Sequence, residues 1–107
     1  NNKFKYAAVN CNIDDTIVFK FKGKHLAMMN LLSRDGGRLV CQLDEEYGFY
    51  IDLFMDSDGY FNTTINVNNL ENTDHTLTMV IDKDRNPKSL GNKVVIGGFL
   101  IDPGNKI

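Results

Sequence analysis

The sequence predicts an all-β protein, an antiparallel β-sandwich of jelly-roll type with seven or eight strands. Apolar and polar residues alternate with a period of two in several short segments, which is typical of half-buried strands. Turn residues separate these segments at intervals of about 8 to 12 residues. No segment is a convincing amphipathic helix. The 107 residues are enough for one domain, 1–107, with a core of its own.

The first half of the chain supplies three clear strands after a polar lead-in. Alternation in the first of them places Phe19 inward and Lys20 outward. The second is apolar on both sides and could be a two-turn helix by periodicity alone, but its length and the Asp35-Gly36-Gly37 turn after it favour a strand. The predicted strands are a possible edge strand within 6–9, then Thr16–Lys22, His25–Leu32 and Arg38–Asp44.

The second half supplies the strands that we expect at the centre of the sheets. The segment 74–81 alternates after a turn at Asp74-His75, and the last segment is apolar on both faces. A strand that buries both faces is typical of a sheet interior. The predicted strands here are Phe49–Phe54, Tyr60–Val67, Asp74–Ile81 and a final strand from Lys93 that ends at Pro103-Gly104.

Composition argues against two classes of partner. The net charge is −2 with 24% charged residues, so no basic surplus is present to neutralise phosphates, and we expect no nucleic acid partner. The apolar runs are shorter than the roughly 18 residues of a membrane span. No signal-peptide core follows Asn1-Asn2-Lys3, which suggests a secreted protein after processing or a domain of a longer chain.

The two cysteines do not define a disulfide framework or a metal site. Cys41 lies on the apolar face of a predicted strand, where a thiol behaves as a small hydrophobe. Two free thiols are one interpretation, and a bridge between Cys11 and Cys41 in an exported protein is the other. Neither predicts catalysis.

The segment Asp56-Ser57-Asp58-Gly59 resembles half of a calcium loop. The EF-hand spacing would require an oxygen ligand at Tyr60 and a glycine at Phe61, and neither is present. We therefore expect a solvated hairpin turn and predict no metal site from spacing. A structural calcium held between loops distant in sequence remains open.

No catalytic residue is predicted. The serines do not lie in a nucleophile elbow, and His75 at the start of a strand is expected to fix a turn. The acidic turn beside Gly48 is expected to be hydrated, whereas general acid catalysis needs a desolvated carboxyl group. The residues considered are Ser33, Ser57, Ser89, His25, His75, Asp44, Glu45 and Glu46. The chain by itself is predicted not to be an enzyme.

Four residues form a candidate ligand surface. Sugars are held by aromatic faces and a few directed hydrogen bonds. Tyr50 and Asp52 would share a face with Tyr60 and Asn62 if their strands were neighbours joined by the 56–59 turn in the right register. The alternative interpretation is a polar outer sheet face with structural tyrosines.

Four segments in this order resemble a known family. They are Asp15–Gly23 (DTIVFKFKG), Arg38–Asp44 (RLVCQLD), Asp74–Met79 (DHTLTM) and Val95–Asp102 (VIGGFLID). Together they are similar to the N-terminal jelly-roll, galactose-binding-like domain of SGNH-type esterases, especially the family-two carbohydrate esterases. The family usually has a glycine after the aspartate that matches Asp44, where this chain has Glu45.

The resemblance implies an accessory domain of a secreted or surface carbohydrate esterase, with polysaccharide or glycan as partner. It also implies a C-terminal catalytic domain in the parent chain, with a Gly-Asp-Ser nucleophile and a downstream histidine. This chain has no Gly-Asp-Ser motif, so no catalytic residue is transferred to it. The alternative function is a structural or receptor-binding module of a phage tail or surface fibre, which would form a homotrimer.

Overall fold

The computed structural model describes the backbone of residues 3–5 and 12–102, which contain eight β-strands and no helix. The strands are β1 Lys3–Lys5, β2 Thr16–Gly23, β3 His25–Leu32, β4 Arg38–Leu43, β5 Tyr47–Asp52, β6 Tyr60–Val67, β7 Thr73–Ile81 and β8 Ile96–Asp102. The all-β prediction is confirmed. The predicted edge strand within 6–9, Cys11 and the Pro103-Gly104 break lie outside the described residues.

The eight strands form two antiparallel sheets of four. The first sheet has the order β1-β8-β3-β6 and the second has the order β2-β7-β4-β5. Strands β7 and β8 each pair on both sides, as predicted for central strands. Strand β8 begins at Ile96 rather than Lys93, because Lys93 makes only an isolated bridge to Gly36.

The two inner faces meet in one apolar core. Strand β2 faces as predicted: Phe21 is buried, Phe19 is half-buried, and Lys20 is exposed. The ring of Phe19 from the second sheet stacks on Phe99 from the first, with centroids 3.8 Å apart. This stack joins the two sheets near the middle of the core. The fully buried residues include Leu26, Met28, Leu39, Leu53, Leu77, Met79, Ile81 and Ile96.

The predicted hairpin between β5 and β6 is wrong. Strand β5 is an edge of the second sheet and β6 is an edge of the first. The segment between them crosses the end of the sandwich, where the N–H of Ser33 donates to the carbonyl of Leu53 at 3.2 Å and the N–H of Met55 donates to Ser33 at 2.9 Å. The turn residues correctly indicate a bend, but the chain passes from one sheet to the other there, with Leu53 buried at the crossing.

The outer face of the first sheet is covered by its own side chains. Alternation along β3 puts Ala27, Met29 and Leu31 on this face, and all three are buried or half-buried. The ring of Phe61 lies over Gly97, where an added Cβ would be 2.9 Å from the ring atom Cδ1. The glycine is therefore needed for close packing at this point. The described residues contain no helix that is long and apolar enough to cross a membrane.

A candidate binding site beside Tyr50

Tyr50 lies on the outer face of the second sheet, on the edge strand β5. Its side chain is 66% exposed. Asp52 is the next residue on the same face of β5, and in the antiparallel register Val40 lies opposite Tyr50 while Arg38 lies opposite Asp52. Both predicted site residues of β5 therefore point to solvent from a regular strand, which fixes their spacing.

Arg38 covers one side of the Tyr50 ring. Its guanidinium carbon lies 4.6 Å from the ring centroid, within the range of a cation–π contact. Both Nε and Nη2 of Arg38 lie 2.8 Å from Oδ2 of Asp82, and Asp84 is 3.7 Å from Nη2. The bond to Asp82 raises the pKa of Arg38, so the guanidinium stays charged. Tyr50 is thus held by an arginine that is itself anchored.

A depression of about 280 Å³ opens on the other side of the ring. It lies towards Gly48, the neighbour of Tyr50 on the same face of β5, and Val40 forms part of its lining. A Cβ added at Gly48 would approach only the carbonyl oxygen of Cys41, at 3.8 Å. The missing side chain therefore leaves this side of the tyrosine accessible.

Polar residues continue the outer face of the sheet next to Gly48. Gln42 on β4 pairs with Gly48 on β5 and with Thr78 on β7, so the side chains of Gln42 and Thr78 lie on the same outer face. The arrangement combines an aromatic ring, an apolar contact at Val40, and nearby amide and hydroxyl groups. Such a surface suits a flat ligand that has an apolar face and a polar rim.

Tyr60 and Asn62 lie elsewhere. Both are on β6, opposite Leu32 and Asn30 in the first sheet. The side-chain oxygen of Asn62 accepts a hydrogen bond from the N–H of Thr63 at 2.8 Å. The predicted single surface of four residues is wrong, because β5 and β6 belong to different sheets. Ligand binding by either pair stays a prediction.

Sequence analysis missed Arg38, Gly48 and Gln42. The signal was the short acidic turn between two alternating segments, which predicts a β-hairpin. Pairing those segments would have put Val40 opposite Tyr50. Finding these three residues required the register of the β4–β5 hairpin, which their residue types do not give.

A second polar cluster joins the β4–β5 turn to β7. Nδ1 of His75 lies 2.6 Å from Oδ2 of Asp44, and Nε2 lies 2.7 Å from the carbonyl oxygen of Glu71. The N–H of Thr76 donates to the other oxygen of Asp44 at 2.8 Å. Because both ring nitrogens of His75 face acceptors, the arrangement favours the doubly protonated imidazolium.

The pKa values of this pair move in opposite directions. Burial alone would lower the pKa of His75, but the hydrogen bonds to Asp44 and Glu71 outweigh it and raise the pKa. Burial alone would raise the pKa of Asp44, but the bonds from His75 and from the N–H of Thr76 lower it. The cluster is an ion pair that fixes the turn.

Two predictions about this region need correction. His75 is not at the start of a strand: it lies inside β7, is 6% exposed and shares the inward face with Leu77. Asp44 is not a freely hydrated carboxylate, because both of its oxygens accept hydrogen bonds. Glu45 and Glu46 are exposed as expected. The turn-fixing role expected of His75 agrees with its bond to Glu71.

Ser33, Ser89 and Cys41 are all buried. Ser89 is buried and its hydroxyl donates to the carbonyl of Gly36 at 2.6 Å. Ser33 donates to Asp35. Burial raises the pKa of the Cys41 thiol to about 12, which keeps it protonated and unreactive. No hydrogen bond joins a serine or cysteine to a histidine in this part of the chain.

Arg34 forms ion pairs with the 56–59 turn. Nε of Arg34 lies 2.8 Å from Asp56, and Nη1 pairs with Asp58. The guanidinium thus supplies the positive charge that a cation would supply to these carboxylates. A structural calcium elsewhere stays an untested prediction.

Comparisons with known proteins agree with the fold. No protein-family model and no curated protein matches the chain. Among solved structures, it is similar to the CBM36-1 domain of a multidomain xylanase from the hindgut metagenome of Trinervitermes trinervoides. The TM-score is 0.58 at 14% identity, and the match covers 100% of both chains. At this identity the likeness shows the β-sandwich fold.

Proposed function

We propose that this chain is a non-catalytic β-sandwich domain that binds polysaccharide or glycan, with Tyr50 at the centre of its ligand surface. The observation that carries the proposal is a largely exposed ring, fixed by Arg38 on one side and open over Gly48 on the other. A pyranose has an apolar face that can stack on the tyrosine and hydroxyl groups that can reach Gln42 and Asp52.

The fold supports the same role. The CBM36-1 domain that this chain resembles is a carbohydrate-binding domain attached to a xylanase. That domain is one part of a multidomain xylanase, which supports an accessory role for the similar sandwich of this chain.

We further propose that the parent protein is a secreted or surface carbohydrate esterase of the SGNH type. The support is the order of the four segments that resemble its jelly-roll domain. The proposal predicts a Gly-Asp-Ser motif in the coding sequence that follows Ile107. Reading that sequence tests it directly.

Titration followed by NMR tests the binding proposal. Xylohexaose, mannohexaose and cellohexaose are each added to the labelled chain, and at least one is expected to shift Gly48, Tyr50 and Asp52 with a Kd of about 0.1 to 1 mM. Tyr50→Ala should abolish these shifts. Tyr47→Ala is the matched control, because Tyr47 is on the same strand, has the same 66% exposure and lies on the opposite face.

Each contrary outcome is informative. Silent titrations with all three sugars would overturn the proposal. Shifts confined to Tyr60 and Asn62 would move the site to the first sheet. A homotrimer in light scattering, rather than the expected monomer, would favour the fibre module.

A further inference from the structure

We infer that the glycan surface of this chain extends from Tyr50 to a second subsite at one end of the sandwich, where Phe54 and Leu90 form an apolar wall. The second subsite would hold further sugar units of the chain that is bound at Tyr50. The inference rests on the proposed function and adds to it the length of glycan that the surface takes.

The second subsite lies at the end of the sandwich where three connections meet. Strand β8 runs from Ile96, which pairs with Asn30, to Asp102, which pairs with His25. Strand β1 begins beside the Asp102 end of β8. At the other end, backbone hydrogen bonds join the connections β3–β4, β5–β6 and β7–β8. Loops that are grouped on a rigid scaffold in this way commonly carry binding residues.

A depression of about 350 Å³ opens between these connections. Its lining consists of Arg34, Phe54, Asp56, Lys88 and Leu90. Arg34 bonds to carboxylates through Nε and Nη1, so Nη2 has no partner among residues 12–101. The ammonium group of Lys88 has no ion pair in the same range. An aromatic ring, an aliphatic side chain and a few hydrogen-bonding groups in a depression of this size are typical of a small-ligand site.

The loop that carries Leu90 is fixed by its own hydrogen bonds. The side chain of Leu90 is 77% exposed, whereas its N–H donates to the carbonyl of Arg34 at 2.9 Å. The preceding Ser89 is buried, and its hydroxyl donates to the carbonyl of Gly36 at 2.6 Å. The N–H of Ser89 donates to the carbonyl of Asn86 at 2.8 Å. Because this loop is already ordered, a ligand that packs on Leu90 loses little affinity to loop ordering.

Asp52 joins the two subsites. Tyr50, Asp52 and Phe54 occupy alternate positions, with buried residues between them, so all three lie on the outer side of the chain. The Cα atoms of Tyr50 and Phe54 are at most about 14 Å apart in an extended chain. The carboxylate of Asp52 accepts hydrogen bonds from the N–H of Phe54 at 3.0 Å and from the side chain of Asn86 at 2.9 Å. These bonds hold β5 and the β7–β8 loop in one arrangement, so one oligosaccharide can contact both.

A glycan that reaches both subsites should bind more tightly than one that reaches a single subsite. Once the first contact is made, the second is intramolecular and has a high effective concentration. A disaccharide contacts one subsite at a time. We therefore expect the best hexamer to bind at least about tenfold more tightly than the disaccharide of the same sugar.

NMR titrations of the wild-type chain with the three hexamers and the matching disaccharides test the inference. The best hexamer should shift Lys88 and Leu90 together with Gly48 and Tyr50, at one ligand per chain. Leu90→Ser should lower the ratio of hexamer affinity to disaccharide affinity about threefold or more, because it removes exposed apolar surface that the hexamer covers. Val18→Ser is the matched control. Its side chain is 54% exposed on β2, three strand spacings or about 14 Å from β5, and the ratio should not change.

The outcomes separate the two claims. If no sugar shifts either subsite, the proposed function fails and the inference fails with it. If the best hexamer shifts Tyr50 but Leu90→Ser keeps the ratio, the second subsite is overturned while the binding function stands. Shifts at Leu90 that persist with unchanged affinity in Tyr50→Ala would show two separate sites and would also overturn the inference. So would a dimer in light scattering that Leu90→Ser dissociates, because a second copy of the chain would then cover the depression.

Discussion

The outer faces of the two sheets use a glycine and an aromatic ring in opposite ways. On the first sheet, the ring of Phe61 covers Gly97, and an added Cβ there would be only 2.9 Å from the ring. On the second sheet, Gly48 beside Tyr50 is open, and an added Cβ would meet nothing closer than 3.8 Å. A strand glycine thus marks either close packing or an accessible depression, and the position of the nearest ring decides which.

The largest change in the free energy of unfolding is expected in the core that both sheets share. Phe99→Ala should lower the free energy of unfolding by about 3 to 5 kcal/mol, because it removes a buried ring and its stack on Phe19. Lys20→Ala, on the outer face of β2, should stay within about 0.5 kcal/mol. Urea unfolding measures both. Similar losses would contradict the inward and outward assignment on which the comparison depends.

The outer face of the second sheet depends on the buried ion pair between Asp44 and His75. The described residues of the first sheet contain no such pair. Strand β5 is an edge strand, and the Asp44–His75 pair fixes the turn that leads into it. His75→Gln should cost about 1 to 3 kcal/mol, because it leaves acceptors at Asp44 and Glu71 without a charged donor. Thermal unfolding at pH 5.5 measures the loss.

The same pair predicts a pH dependence. The pKa of His75 is raised in the folded state, so its contribution is complete below the unfolded value of about 6.5 and is lost as the pH rises through the folded value. The pKa of Asp44 is lowered, so its contribution is complete above the unfolded value of about 3.9 and is lost in stronger acid. Stability from this pair should therefore be greatest between about pH 4 and 6.5.

Histidine variants provide the control for this prediction. The melting temperature of the wild type should fall between pH 5.5 and 8.5, and His75→Gln should reduce that fall. His25→Gln should retain it, because among residues 12–101 the side chain of His25 bonds to the neutral Asn66 and to no carboxylate. A fall that is unchanged in His75→Gln would show that another group carries the pH dependence.

The two glycines themselves give a direct test of the comparison. Gly97→Ala should cost about 1 to 2 kcal/mol, because the new methyl group displaces the partly exposed Phe61 ring. Gly48→Ala should be neutral or stabilise by up to about 1 kcal/mol, because its φ is not left-handed and alanine reduces the entropy of the unfolded chain. Chemical unfolding compares them. Equal costs would mean that the two glycines have the same role.

The smallest expected effect is in the turn before β5. Asp44 and Glu45 have φ of 55° and 60°, and the N–H of Glu46 donates to Leu43 at 3.0 Å. A left-handed conformation suits aspartate better than glutamate, and glycine suits it best. Glu45→Gly should stabilise the chain by about 0.5 kcal/mol. Glu46→Gly, without a positive φ, should destabilise it, and stabilisation there would contradict the explanation.

The sequence predicted the strands and their faces better than their partners. Alternation placed Phe19 inward and Lys20 outward because a period of two is a local property of the chain. Alternation could not predict the partners of β5 and β6, because strand pairing depends on which sheet the chain joins after each connection. The buried Leu53 belonged to the predicted strand, but its burial alone does not show which sheet the next strand joins.

The candidate site was predicted only in part. Tyr50 and Asp52 were placed together on one outer face, and they are together. Tyr60 and Asn62 were added through a wrong pairing. His75 lies at the same parity as Leu77 and Met79 and was therefore on the core face by the alternation itself. We interpreted His75 as a turn residue because its side chain is polar. In the structure the imidazole is buried because it bonds to the carboxylate of Asp44.

The pairing of β1 with β8 has a practical consequence. Lys3 and Ile101 are register partners, so the described chain enters and leaves along one edge, with the two strands about 5 Å apart. Strand β2 packs against β8, and β5 is the other end of its sheet. Residues 3–102 could therefore be grafted into a surface loop of an unrelated host through two adjacent junctions. Strand β5, which carries Tyr50, would then lie at the opposite edge of the second sheet from β2.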